Sequence, residues 1–412
     1  MKKVIIICII ILLGGLGYYI YSVKQQAAQT GEAVTLRSFL PFGTSSTGSN
    51  NTGIDGEADS TASNTEEGAT DENAPLPKEI LTQVTALSIA GGTTYTTMRP
   101  KSSGGTEEVV SLRYVEKTNG HIHEQFLDGN TSTQISNSTI QGVHEALFSS
   151  DGNSIIYRYL DSTTKQIQSF LGTLGASTGS YLPEGIEQIV FSPTDKSYFY
   201  LTTDSETSTV SGIKGGVTTN KETTLFTSAF TEWLVQWPNK NTIFLTTKPS
   251  WNTNGSVYQL NTDTKAFRKV FGNIRGLTTL ANNQASVILY SGTTTTGYKI
   301  GLYDTATKDF TNIPLSSIAA DKCVWVNDGS AAYCSAPNTI SGLQYPDNWY
   351  QGTVSFDDSV YRIDGVTGSI TQIVDTSTVG GIDGTHLFLN PSEDVLFLIN
   401  KKDSSLWKII LK

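Results

Sequence analysis

Leu147-Phe148-Ser149-Ser150-Asp151-Gly152-Asn153-Ser154-Ile155-Ile156-Tyr157 sets two apolar β runs on either side of an Asp-Gly turn. Asp-Gly between such runs is among the strongest short-range hairpin signals, because both residues tolerate the left-handed backbone of a tight turn. The phrase recurs in worn copies. Its anchor, the last large apolar position before each turn, is Phe148, Phe191, Trp237, Leu280, Trp325 and Leu389, with a fainter copy at Ile89. From Phe148 to Trp325 the anchors stand 43 to 46 residues apart, and Leu389 follows after 64, which marks an insertion. Eight to ten residues beyond each clear anchor comes Tyr157, Tyr200, Leu245, Tyr290, Tyr333 or Phe397, the partner on a second strand.

A second phrase closes each unit. It reads apolar, Tyr or Trp, any residue, apolar, then Asp or Asn before a Thr-rich turn, as in Val257-Tyr258-Gln259-Leu260-Asn261, Leu302-Tyr303-Asp304-Thr305 and Val360-Tyr361-Arg362-Ile363-Asp364. A short fourth run follows in most units, such as Thr133-Gln134-Ile135, Arg268-Lys269-Val270 and Thr371-Gln372-Ile373. Four strands per 40 to 45 residues is the arithmetic of a β-propeller blade. Seven anchors predict an all-β, seven-bladed β-propeller over residues 80–412. The last unit stops after its third strand, Leu406-Trp407-Lys408-Ile409, while Ile80-Leu81-Thr82-Gln83-Val84-Thr85 reads like a fourth strand with no unit of its own. The expectation is that this run crosses the seam and completes blade seven, covering an edge that would otherwise stay open.

Phe148-Ser149-Ser150-Asp151-Gly152 and Phe191-Ser192-Pro193-Thr194-Asp195 resemble the F-S-P-D-G phrase of TolB-type, WD-like β-propeller repeats. The repeat pattern covers roughly residues 80–412, and the whole chain looks like the membrane-anchored propeller proteins of uncharacterised bacteria. Asn282-Asn283 and Asn390-Pro391 have drifted far from the phrase, and no part of the chain resembles the α/β domain that accompanies the TolB propeller. The resemblance implies the fold. The phrase is structural, so it carries no binding residues over.

Upstream of the repeats the composition changes twice. Met1-Lys2-Lys3 precedes Val4 to Val23, a run without a charge. Such a run spans about 30 Å as a helix, one bilayer core. Tyr18, Tyr19 and Tyr21 crowd its far end, and the leading lysines hold the N-terminus in the cytoplasm. Residues 1–24 are therefore expected to be a single-pass anchor that places the rest outside the cytoplasm. A cleaved signal peptide is the competing reading, but Gln26-Ala27-Ala28 makes a poor cleavage site. Cys8 follows Ile7, where a lipoprotein signal needs a small residue, so it reads as an apolar position in the helix. Residues 25–79 are rich in Ser, Thr, Gly, Asn, Asp and Glu and are expected to be a flexible acidic tether. Leu36 to Gly43 is its one apolar island.

The net charge of −10 argues against a nucleic-acid partner. No nucleophile elbow, phosphate loop or zincin motif is present. His121 and His123 sit two apart on a strand without a third ligand nearby, which is the pattern of an exposed strand more than of a metal site. His144 and His386 precede their anchors at similar positions and, with Glu145 and Glu187, are candidates to line the central channel. No cofactor is expected. Cys323 and Cys334 flank Asp328-Gly329 symmetrically, so a two-residue turn there would oppose them across the hairpin. Export favours a disulfide, and two buried free thiols are the alternative.

Trp233, Trp237, Trp325 and Trp407 fall in strand phrases and read as packing. Trp251, Tyr345, Trp349 and Tyr350 fall in connections between second and third strands, the last three inside the insertion. Aromatic residues on such loops either recognise a partner or fold down to cap their own blades. The sequence is thus read as an exported, membrane-tethered propeller that binds or scaffolds a protein or glycan at the cell envelope. Two rivals stand: an enzyme using carboxylates and His around the channel, and a structural component of an envelope assembly.

Overall fold

The computed structural model describes residues 80–411, except 130, 177–178, 296, 338–339 and 341–343. The expected anchor at Val4 to Val23 and the tether at 25–79 lie outside the described residues, and among those described no helix is long and apolar enough to cross a membrane. The described chain forms seven four-stranded antiparallel sheets. The first strands are Ile89–Pro100, Val143–Phe148, Ile186–Phe191, Trp233–Asn239, Thr278–Ala281, Cys323–Trp325 and Gly384–Leu389. First strands of neighbouring blades touch one another, which places them around the axis of a seven-bladed propeller. Every anchor from Ile89 to Leu389 lies on one of them.

The seam closes as the orphan run requires. Leu81–Thr85 is the outer strand of blade seven, antiparallel to Leu406–Ile410, with Leu81 opposite Ile409 and Gln83 opposite Trp407. The first and last described strands thus share one sheet.

The defining turn is longer than the Asp-Gly pair suggests. Ser149 N–H donates to Ser154 O (2.9 Å) and Gly152 N–H to Ser149 O (2.8 Å), so the loop spans residues 150–153. The drifted copies keep both bonds, from Asn282 N–H to Val287 O (2.9 Å) and from Asn390 N–H to Val395 O (3.0 Å), each with its inner turn. Where Ser149 Oγ accepts from Ser154 N–H (2.9 Å), Asn282 Oδ1 accepts from Val287 N–H (3.2 Å) and Asn390 Oδ1 from Val395 N–H (2.9 Å). Asn replaces Ser without changing the turn, because either short side chain can satisfy the same backbone donors. The blade-six copy also has a four-residue loop rather than a two-residue one. Its centre is unchanged, so Cys323 still faces Cys334, with Cα atoms 4.1 Å apart and sulfurs bonded at 2.11 Å.

The core is divided as the ring is. Each of the seven blade interfaces holds one apolar cluster, such as Ile156, Ile189 and Tyr200 between blades two and three, or Ile89, Leu112 and Phe397 across the seam. An eighth cluster, of Tyr298, Ile318, Tyr345, Trp349 and Phe356, belongs to the blade-six insertion.

Candidate functional site

The insertion lies between the second strand (Ala331–Pro337) and third strand (Asp358–Asp364) of blade six. Its residues 344–357 form a strap that contacts four blades. Tyr345 packs against Tyr298 of blade five. The Tyr345 carbonyl sits 2.8 Å from where a Cβ on Gly276 would stand, and Gly276 has φ +62°, so only glycine fits under the strap there. Asp347 accepts from Ser250 Oγ (3.2 Å) and Trp251 N–H (2.6 Å) in the blade-four loop. Lys401 of blade seven donates to the Trp349 carbonyl and stacks over the Trp349 ring at 4.1 Å. Of the four aromatic residues expected at a partner face, Tyr345 and Trp349 are buried, each 2 % exposed. They are the packing that fastens the strap, and their side chains present no surface. Tyr350, 39 % exposed, and the half-buried Trp251 do.

Beneath Trp349 lies a sealed ionic knot. Lys322 is in the helical turn (Ala319–Lys322) before blade six, and its side chain is 0 % exposed. Its Nζ donates to Asp358 Oδ2 (2.7 Å), Asp383 Oδ1 (2.6 Å) and Gly384 O (2.8 Å). Asp383 Oδ2 also accepts from Trp349 Nε1 (3.0 Å), Ser355 Oγ (3.1 Å) and Phe356 N–H (3.0 Å). Burial raises the Asp383 carboxyl, but the Lys322 charge and these donors outweigh it and hold the group below the usual carboxylate range. Burial dominates at Asp358 and pushes it up to about 6 against the opposing Lys322 charge. Sequence reading missed the knot. Lys322 and the two aspartates are far apart along the chain, and single polar residues at strand ends resemble turn residues.

On the axis is a cavity of about 380 Å³ walled by first strands of blades four to seven. Gln236, Leu280, Asp321, Val324 and His386 are among its lining residues. Asp321 accepts from the Tyr350 hydroxyl, so the strap reaches the cavity wall. Burial raises the Asp321 carboxyl, while the Tyr350 bond and the charges of His386, Lys322 and Lys401 act the other way. His386 sits in a β-bulge between Thr385 and Phe388 with φ +49°, a strained backbone for a non-glycine residue, and its Nδ1 meets Thr385 Oγ1 at 3.1 Å.

Two of the other channel candidates share that bulge position, Glu145 follows one of them in register, and none lines the cavity. His144 and Glu187 are the extra residues at the bulges of blades two and three. Glu145 accepts from Arg158 (3.0 Å), and Glu187 accepts from Thr203 Oγ1. His121 meets Thr139 Oγ1 (3.2 Å), whereas His123 stacks on Tyr114 and stands 3.6 Å from Glu116. Among the described residues no group of three or more His, Cys, Asp or Glu side chains is placed to hold a metal ion.

No protein-family model matches the chain, and no curated protein matches it in sequence. Many solved structures match it in shape. An oligogalacturonate lyase from Vibrio parahaemolyticus is 10 % identical with a TM-score of 0.56, over 81 % of this chain and 93 % of that one. An oligogalacturonate lyase in complex with manganese is 11 % identical with a TM-score of 0.53, over 78 % and 98 %. TolB from Acinetobacter baumannii is 11 % identical with a TM-score of 0.43, over 77 % and 79 %. At such identities the likeness is one of fold, and the fold is a seven-bladed β-propeller of four-stranded blades, the architecture that the TolB-type phrases implied.

Proposed function

We propose that this chain is an exported, membrane-tethered propeller that binds a protein or glycan partner at the cell envelope. The contact would centre on the axial cavity and the adjoining strap. The observation that carries this reading is the placing of Asp321 and His386 in one cavity wall, with the partly exposed Tyr350 bonded to Asp321. An apolar edge with a few convergent polar groups is how a recognition site is built. Tyr350 and Trp251 supply contact surface, and Tyr345 and Trp349 hold the strap in place. The uncharged Val4 to Val23 run and the acidic tether support the envelope location, with a single-pass anchor and the propeller outside the cytoplasm.

The test is capture from envelope extracts and binding to a glycan array by the full chain. Tyr350→Ala and Trp251→Ala are each expected to weaken the interaction by more than about 1 kcal/mol. Unchanged binding in both variants would move the partner site elsewhere.

A second reading, a lyase of acidic oligosaccharides, draws on the shape likeness to the two oligogalacturonate lyases. Incubation with oligogalacturonate, with and without manganese, separates the two. Formation of an ultraviolet-absorbing double bond, lost on His386→Ala, would establish the lyase.

A further inference from the structure

The Lys322 knot contains more chemistry than an ion pair needs. From the geometry we infer that Lys322 and Asp383 join covalently, through an amide between Nζ and the Asp383 side-chain carbonyl, with Asp358 carrying the proton. This is independent of the binding reading, because none of the three residues reaches the surface.

Four observations carry it. First, Nζ is held 2.6 Å from Asp383 Oδ1, and the side chains of Lys322, Asp358 and Asp383 are each 0 % exposed. A nucleophile fixed beside its target in a closed site gains the large advantage of an intramolecular reaction. Second, the two carboxylates differ in polarisation. Asp383 Oδ2 receives Trp349 Nε1, Ser355 Oγ and Phe356 N–H at 3.0 to 3.1 Å, a three-donor cradle for the charge that develops on that oxygen in a tetrahedral intermediate. Third, Asp358 has no such cradle. Its Oδ2 accepts from Lys322 Nζ and Gly384 N–H, both at 2.7 Å, while its buried Oδ1 has no hydrogen-bond partner among the described residues. A buried carboxylate oxygen without a donor suits a group that takes a proton and passes it on. Fourth, the rings of Trp349 and Phe356 lie 5.2 and 5.5 Å from Nζ and complete an apolar wall.

The step balances without any co-reactant. Nζ gives one proton through Asp358 to Asp383 Oδ1, so that a neutral amine faces a neutral carboxylic acid, and its lone pair then attacks Cγ. The C–N bond forms while negative charge gathers on Oδ2 in the cradle. A second Nζ proton passes through Asp358 to Oδ1, which leaves as water, and the third stays on the amide nitrogen. An ammonium and a carboxylate become a neutral amide and one water. The change removes two buried charges, whose desolvation a sealed pair recovers poorly.

The test is mass spectrometry of the full chain with its cysteines reduced. The chain is expected to be one water lighter than its unlinked form. Lys322 should resist trypsin, and the tryptic peptide over residues 309–362 should stay joined to that over 363–401. Recovery of both peptides unlinked, with cleavage after Lys322, would overturn the inference. Asp358→Asn preserves shape and removes the proton carrier, so it should leave the peptides unlinked. A link formed as fully in Asp358→Asn would overturn the role given to Asp358. Lys322→Arg should be unlinked, and a link persisting there would exclude Lys322 as the nucleophile.

Discussion

Arg158 and Lys322 fasten different blade interfaces in the same way. Arg158, on the second strand of blade two, donates to the Ile186 carbonyl (2.9 Å) at the start of blade three. Lys322, just before blade six, donates to the Gly384 carbonyl (2.8 Å) at the start of blade seven. Each cation thus ties one blade to the first strand of the next, and each has a carboxylate partner. The difference is water. Glu145, the partner of Arg158, is 30 % exposed, while Asp358 and Asp383 are fully buried. At blades two and three solvent reaches the carboxylate though Arg158 itself is buried, so the device is modest. At blades six and seven the strap has closed over it, and every charge depends on its protein neighbours.

The contrast predicts a wide spread of mutational effects. Asp383→Ala should cost about 3–5 kcal/mol in chemical denaturation, because it leaves Lys322 with a weakened pairing and orphans three donors. A loss no larger than that of Arg158→Ala would show that sealing adds nothing. Trp349→Ala should follow at about 3–4 kcal/mol, as the ring fills the eighth cluster and its N–H serves Asp383. Little change there would mean that the strap rests on the ring without supporting it.

The pH dependence sharpens the comparison. The Asp358 carboxyl titrates near 6 in the folded chain, above its ordinary value of 3.8. Its contribution is fully present below pH 3.8 and is lost as the pH rises through about 6. The parent's melting temperature should therefore fall as the pH rises across that window, and Asp358→Asn should lose that fall whatever its absolute stability. A constant difference across it would rule out Asp358 as the titrating group. Arg158→Ala should cost only about 1–2 kcal/mol, since water replaces part of what Glu145 loses. Trp251→Ala should change stability by less than about 0.5 kcal/mol, its ring being half-buried in a loop. A drop as large as that of Trp349→Ala would make it part of the strap's foundation.

The ring was legible because its signals are local and repeated. Phe148, Trp237 and Trp325 each precede a turn, and a blade needs only its own strands to announce itself. The seam was legible from a mismatch between the ends, where Leu81–Thr85 lacked a unit and Leu406–Ile410 lacked a partner. Even the wrong turn length left Cys323 opposite Cys334, because a two-residue and a four-residue loop share a centre. The insertion showed through spacing, but the direction of its aromatic residues did not. Tyr345 and Trp349 are exposed or buried according to what waits beneath them, and that surface comes from blades five and seven. The Lys322 knot was invisible for the same reason. It joins residues that meet only once two blades are in place, and no local pattern distinguishes Asp383 from a turn aspartate.

The seam has a consequence for the order of events during synthesis. Among the described strands Leu81–Thr85 is made first and its partner, Leu406–Ile410, last. At about 5–20 residues per second, the early strand waits roughly 15–65 s with Leu81, Val84 and one row of backbone groups unmatched. Blades one to six can assemble pairwise in that interval, since each neighbour contributes its own cluster to their shared interface. Blade seven cannot. Its completion joins distant parts of the chain and is the slow, entropically costly closure of the ring. A chaperone acting on the nascent chain therefore has one short segment to shield, and release of that segment times the appearance of the finished molecule.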